Sequence, residues 1–170
     1  FQHPPNVDGV AWFVHEILPR VRTLVPTARL RVAGSDVPDA IRALESDGVD
    51  ILGWVPDLDP LYRRARAAIA PLRYGAGVKG KVGEALALGV PTIMTSIAAE
   101  GMYIEDGVHG LVADAADAFA DAVVRVLTTD ALWTHLAERG RALVEARFSS
   151  TAVRPLVQAA LCGPEAPGAA

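Results

Sequence analysis

The chain lacks a second cysteine, any strong excess of positive charge, and any long apolar run. Cys162 stands alone among 170 residues, so no internal disulfide is possible, and a reducing compartment is the default. The four histidines, His3, His15, His109 and His135, show no paired spacing of the kind zinc sites use, and no metal is assigned. Sixteen Lys and Arg residues against 20 Asp and Glu give a net charge of -4. That balance removes the broad basic footprint that generic nucleic-acid or anionic-membrane binding requires, so any anion site must be local. No apolar stretch approaches the ~18 residues of a membrane span, and no cationic start leads into a short apolar segment. What is present is core material. Hydrophobic residues make up 51% and charged residues 21% of the chain, enough apolar surface for one packed domain at this length. The chain opens on Phe1 rather than Met, and a longer parent polypeptide is expected.

Short apolar runs alternate with helical patterns. Strands are expected near 29–34 (RLRVAG), 49–52, 67–71, 91–94 and 110–113. They are near-continuous in hydrophobicity, as in a parallel sheet covered on both faces. A first helix follows Pro4-Pro5-Asn6 and runs to about Val25, with Pro19 able to kink or shorten it. A second begins near Pro38 under an Asp36 or Val37 cap. A third begins at Asp59-Pro60, read as an N-cap followed by proline at N1, and a fourth covers about 79–88 and stops at Gly89. Asp114 is read as the cap of a helix carrying Phe119, Ala122, Val123, Val126 and Leu127 on one stripe; further helices start at Asp130 and Ser149. The order argues a doubly wound parallel α/β domain over 1–161, followed by a disordered tail at 162–170. A helix placed before the first strand implies that another strand should precede it. In such folds ligands bind at the carboxyl ends of the strands.

The segment Pro71-Leu72-Arg73-Tyr74-Gly75-Ala76-Gly77-Val78-Lys79-Gly80-Lys81-Val82-Gly83-Glu84-Ala85 carries the chemistry. A strand ends, a glycine-rich turn follows, and a helix opens beside two lysines. Free amides and the partial positive charge of a helix start make an anion cradle, to which Lys79 and Lys81 add full charges. Glu84 lies one turn further on the Lys81 face, within reach of the ribose of a nucleotide whose diphosphate sits on the helix end. On spacing alone the segment reads equally as an ordinary loop followed by a solvated Lys81–Glu84 ion pair.

HPPNVDGVAWFVHEILPRVR, RLRVAG, GWVPDLDPLYRRARAAIAPLRYGAGVKGKVGEALALGVPTIMTS, AAEGM and DGVHGLVAD occur in one order along nearly the whole chain. Together they resemble the C-terminal, nucleotide-sugar-binding half of group 1 (family 4) glycosyltransferases of the GT-B fold. The resemblance implies a Rossmann-like half whose first strand is missing from this chain, leaving a gap between the strands at 29–34 and 67–71, and an N-terminal acceptor domain that is absent. It places Glu84 on the donor ribose, and Gly75, Gly77, Val78, Lys79, Gly80 and Lys81 around the diphosphate. Gly53-Trp54-Val55 would lie beside the base, although Trp54 by itself reads as readily as a rim anchor. Lys79 and Lys81 are the candidate catalytic cations that neutralise the leaving diphosphate, replacing an Arg/Lys pair of the family's first loop that has no match here. Ala76 stands where many members carry a glutamate that touches the donor sugar. His3 and Glu100-Gly101 are further possible sugar contacts; each also reads as a surface histidine or a plain turn. Asp57-Leu58-Asp59 tempts a metal-binding reading, but a helix cap explains Asp59 better.

The resemblance thus implies a cytoplasmic, metal-independent, retaining glycosyltransferase that takes a nucleotide-diphosphate sugar as substrate, needs no cofactor, and uses an acceptor the sequence does not name. The fragment alone would bind donor and transfer nothing. No nucleic-acid partner or membrane contact is indicated. A nucleotide-sugar epimerase of the same fold and a non-catalytic nucleotide-binding or interaction domain are the alternatives.

Overall fold

Two prolines open the first helix, α1 (Pro4–Trp12), where backbone N–H groups have no intrahelical acceptor and proline loses nothing. The structure, a computed structural model, describes residues 1–162; beyond Cys162 the expected tail lies outside the described residues. Pro19 does not end the helix. It has no N–H to give, and its ring would crowd the carbonyl four residues back. The chain widens into a π-helical turn, Phe13–Ile17, in which the Leu18 amide bonds the Phe13 carbonyl, and then resumes as α2 (Leu18–Leu24).

The remaining elements follow the expected alternation. They are β1 (Leu30–Ala33), α3 (Asp39–Arg42), β2 (Val49–Gly53), α4 (Asp59–Arg63), β3 (Ala68–Ala70), α5 (Gly80–Ala87), β4 (Thr92–Met94), α6 (Ser96–Ala99), β5 (Leu111–Val112), α7 (Ala116–Thr128), α8 (Asp130–Phe148) and α9 (Ser150–Cys162). Three expected caps are corrected. Asp36 adopts φ 52 outside any helix and α3 begins after Pro38, with no side-chain cap. Asp59 is the first residue of α4 rather than its cap; its amide donates to Asp57 Oδ1 at 3.0 Å, an Asx-type turn that ties the Asp57 carboxylate to the helix start, while the Asp59 carboxylate lies 3.7 Å from Arg63. Asp114 does not cap α7, which starts after Ala115, because its Oδ1 accepts from the Ser96 amide and hydroxyl at 2.8 and 3.0 Å. Ser149 does cap α9, accepting from the Ala152 amide at 3.1 Å.

All strand pairs are parallel. β1 pairs β2 with Leu30 opposite Val49, and β3-β4-β5 form a second sheet with Ile69 opposite Ile93 and Ile93 opposite Leu111. The two sheets do not hydrogen-bond to each other. Between them lies a crevice of about 720 Å³ walled by 29–34 on one side and 64–72 on the other, the gap expected where a strand is lacking. Helices bridge it. Trp12, Phe13, Ile17 and Val21 pack with Phe119, Val123 and Val126 of α7 into one core that reaches Val49 of β2, Ile93 of β4 and Leu111 of β5. A second cluster, with Val82 and Leu86 of α5, Ala70, Leu72, Met94 and Met102, holds α5 against β3 and β4. Both sheet faces of the doubly wound arrangement are therefore covered.

Candidate functional site

The loop after β3 is anchored before it opens. Leu72 is buried and its carbonyl accepts from Thr95 Oγ1 at 2.5 Å, while the Thr95 amide donates to Ala70 O at 3.3 Å. Arg73 forks onto Asp8 of α1, Nε to Oδ2 at 2.9 Å and Nη2 to Oδ1 at 2.5 Å, and its guanidinium lies 5.7 Å from the Trp12 ring centroid. Those bonds from Arg73 hold the Asp8 carboxyl below the usual carboxylate range. Gly9 is the point of closest approach, since a Cβ there would stand 2.5 Å from the Pro71 carbonyl oxygen. Gly9→Ala is expected to push α1 off the loop and cost about 1–3 kcal/mol in urea unfolding, because the opposing atom is backbone and cannot swing aside.

Past this anchor the loop exposes its backbone. Gly77 adopts φ 80, a conformation that disfavours any side chain, and a Cβ at Gly77 or Gly80 would meet nothing within 4 Å. Lys79 is the N-cap position of α5, with no side-chain cap. The first turn is closed by the Val82 and Gly83 amides on Lys79 O, at 2.9 and 3.3 Å, and among the described residues the Gly80 and Lys81 amides have no acceptor. Lys79 is only 8% exposed, its ammonium folded onto Gly77 O at 2.5 Å. Lys81 extends the other way and donates to Asn6 Oδ1 of α1 at 2.6 Å. Loss of solvent, then the nearby Lys79 charge, hold the Lys81 pKa below the ordinary lysine value, although the residue as a whole is exposed.

Among the described residues, Lys79, Lys81 and Glu84 form no ion pair. The Lys81–Glu84 pair of the ordinary-loop reading is absent. Two like charges beside free amides make a cradle that gains from an anion. Glu84 faces the crevice together with Asn6, Lys81 and Tyr62, and burial followed by the Glu84 charge pushes the Tyr62 phenol up.

The structure thus brings Gly75, Ala76, Gly77, Val78, Lys79, Gly80, Lys81 and Glu84 to one helix start, and the loop at Glu100-Gly101 joins them: a Cβ at Gly101 would lie 3.6 Å from Val78 Cγ2. Trp54, 71% exposed, and half-buried Val55 follow β2, and His3 is exposed ahead of α1; none of the three lines the crevice. Asn6, Asp8 and Tyr62 are additions. Asn6 follows two prolines at a helix start, where it reads as part of a capping signal, and neither Asp8 nor Tyr62 lies in a motif that sets it beside the loop.

A parallel α/β domain with an anion cradle after a strand suits many ligands, and comparison with known proteins narrows it. The model of the family described as glycosyl transferases group 1 matches residues 1–129. The chain belongs to that family. Among relatives of this group 1 chain, an uncharacterized 44.6 kDa protein in the cps region of Klebsiella pneumoniae is 25% identical over 130 residues, 71% of this chain and 34% of that protein. HepE of Anabaena, solved in complex with UDP and glucose, superposes with a TM-score of 0.76 at 15% identity, over 88% of this chain and 44% of its own. The C-terminal domain of the group 1 protein LpcC from Francisella tularensis gives 0.69 at 17% identity, over 88% and 82%. The chain spans about a third of the Klebsiella protein and under half of HepE, and the structural likenesses establish the GT-B Rossmann-like fold.

Proposed function

We propose that this chain is the donor-binding half of a glycosyltransferase that takes its sugar from a nucleotide diphosphate and passes it to an acceptor held by another part of the polypeptide. The observation that carries the reading is the pair of lysines without carboxylate partners at an uncapped helix start. In the proposed pose the diphosphate rests on the Gly80 and Lys81 amides between Lys79 and Lys81, Glu84 accepts from the ribose hydroxyls, and Trp54 and Val55 border the base. The sugar extends toward Ala76, Gly101, Glu100 and His3. As the glycosidic bond breaks, negative charge grows on the departing diphosphate oxygen, and donors already in place stabilise it without reorganising. The UDP and glucose held by HepE, which shares the fold, support a nucleoside diphosphate as ligand. The reaction is proposed to retain anomeric configuration, with no metal and no cofactor, in the cytoplasm; among the described residues no helix is long and apolar enough to cross a membrane.

Calorimetric titration of the 170-residue chain with UDP, GDP, ADP and dTDP tests this. Binding of at least one is expected, without sugar transfer by this half alone; no heat with any of the four overturns the reading. The affinity should also fall at alkaline pH. Lys81 binds an anion as the ammonium, so affinity is full below its pKa and is lost as pH rises through it, starting below the ordinary lysine value of 10.5. A flat profile up to that value would exclude Lys81 from the contact.

A further inference from the structure

The bond between Lys81 and Asn6 joins two elements far apart in the chain, and its chemistry fixes which way the amide points. A lysine ammonium only donates, so the atom 2.6 Å from Nζ is the oxygen of Asn6, and the amide nitrogen faces elsewhere with two N–H donors. Those donors have no acceptor among the described residues. Asn6 is half-buried and lines the same crevice as Lys81 and Glu84. α1, which carries it, is held against the loop by Asp8–Arg73 and by the Gly9–Pro71 contact, so the amide sits on a fixed support.

We propose that Asn6 is the positioning residue of the anion cradle: its amide oxygen aims the Lys81 ammonium, and its amide N–H groups are presented to the same phosphate that Lys81 holds. The inference rests on the donor-site reading above and deepens it. A neutral amide suits the place. An aspartate would hold Lys81 equally well but would repel the diphosphate, and an apolar side chain would leave the ammonium without its acceptor. The titratable groups around Lys81 are Lys79, which lies beside it, Glu84 one turn on, the neutral phenol of Tyr62 of α4 near Glu84, and the Asp8–Arg73 pair, whose charges cancel.

The test uses Asn6→Ala and Asn6→Asp, with UDP as probe and the Lys81 side-chain carbon resonance as an independent readout in the ligand-free chain. Asn6→Ala removes one acceptor and the two donors and is expected to weaken UDP binding about 10-fold or more, the range of one hydrogen bond to a charged group. It should also move the Lys81 titration to lower pH, because the ammonium loses its partner. Asn6→Asp should weaken UDP binding at neutral pH at least as much, yet move the Lys81 titration to higher pH, since a carboxylate favours the charged form. Opposite displacements of the titration with affinity lowered in both cases are the signature, which general damage to α1 would not give. Wild-type affinity in both variants, or titrations displaced in one direction, overturns the proposal. If the wild-type chain binds no nucleoside diphosphate while the Lys81 titrations still separate, the aiming bond stands and the donor reading is what has failed.

Discussion

Replacing Lys81 with alanine is expected to weaken nucleoside diphosphate binding about 10–100-fold while leaving the fold as stable as before or slightly more so. A hydrogen bond to a charged group contributes about 1.5–3 kcal/mol, and each 1.4 kcal/mol is tenfold in affinity. The stability side follows from the direction of the Lys81 pKa. Solvent loss and Lys79 hold it below the ordinary value, which means the folded chain disfavours the ammonium that neutral pH imposes. Folding stability set by this group is therefore lowest below the folded pKa and recovers as pH rises through it. Deleting the side chain removes that penalty. A lysine whose desolvated charge costs stability, offset in part by its bond to Asn6, and whose charge holds the ligand gives opposite signs in the two measurements, calorimetry and thermal unfolding. Glu84→Ala separates the parts of the ligand: in the proposed pose only the ribose reaches one turn along α5, so the variant should weaken UDP binding but leave inorganic pyrophosphate unaffected. Equal losses for UDP and pyrophosphate would move Glu84 from the ribose to the phosphates.

The order of elements and the uncapped, glycine-led start of α5 were legible in the sequence because both follow from local rules. Continuous apolar runs mark buried parallel strands, and glycines between a strand and a helix mark an uncapped start. The lack of a strand was legible for a topological reason, since a helix that precedes β1 needs a strand to come from, but its place, as a gap between the two sheets, came from the strand order that the family resemblance implies. Cap assignments were less secure. Asp59 and Asp114 have the right residue type at the right place, but in one case the Asp57 carboxylate accepts from the Asp59 amide and Asp59 becomes the first helical residue, and in the other the Asp114 carboxylate is taken by the Ser96 amide, 18 positions away, which only the folded chain brings near. Pro19 sat inside a helical pattern whose outcome depended on whether the turn could widen, which spacing does not encode. Asn6 and Asp8 were missed as site residues because their partners, Lys81 and Arg73, lie 75 and 65 positions away.

The core carries the other large effect. Phe119→Ala is expected to cost about 3–5 kcal/mol, the range for deleting a fully buried phenyl ring. Phe119 is 0% exposed and meets both Trp12 and Phe13 edge-on, with ring centroids at 5.9 and 6.0 Å. Its loss therefore removes two aromatic contacts as well as buried area, in the layer of helices that bridges the two sheets. Against a typical domain stability of about 5–15 kcal/mol this leaves a marginal fold, and urea unfolding followed by Trp12 near-UV signal should show the midpoint displaced accordingly. Phe119→Leu, which keeps most of the volume, should lose less than half as much. The nucleotide site should share only part of the damage, because α5 packs through Val82 and Leu86 into the other cluster, whereas Asn6 rides on α1, whose Trp12 meets both Phe119 and Arg73. Folded Phe119→Ala should still bind UDP, and UDP at about 100 times the variant's own dissociation constant should then restore about 2.7 kcal/mol by mass action. Failure of UDP to raise the unfolding midpoint of a variant that still binds it would mean that the unfolded chain binds the nucleotide too, and that the cradle is not a property of the fold.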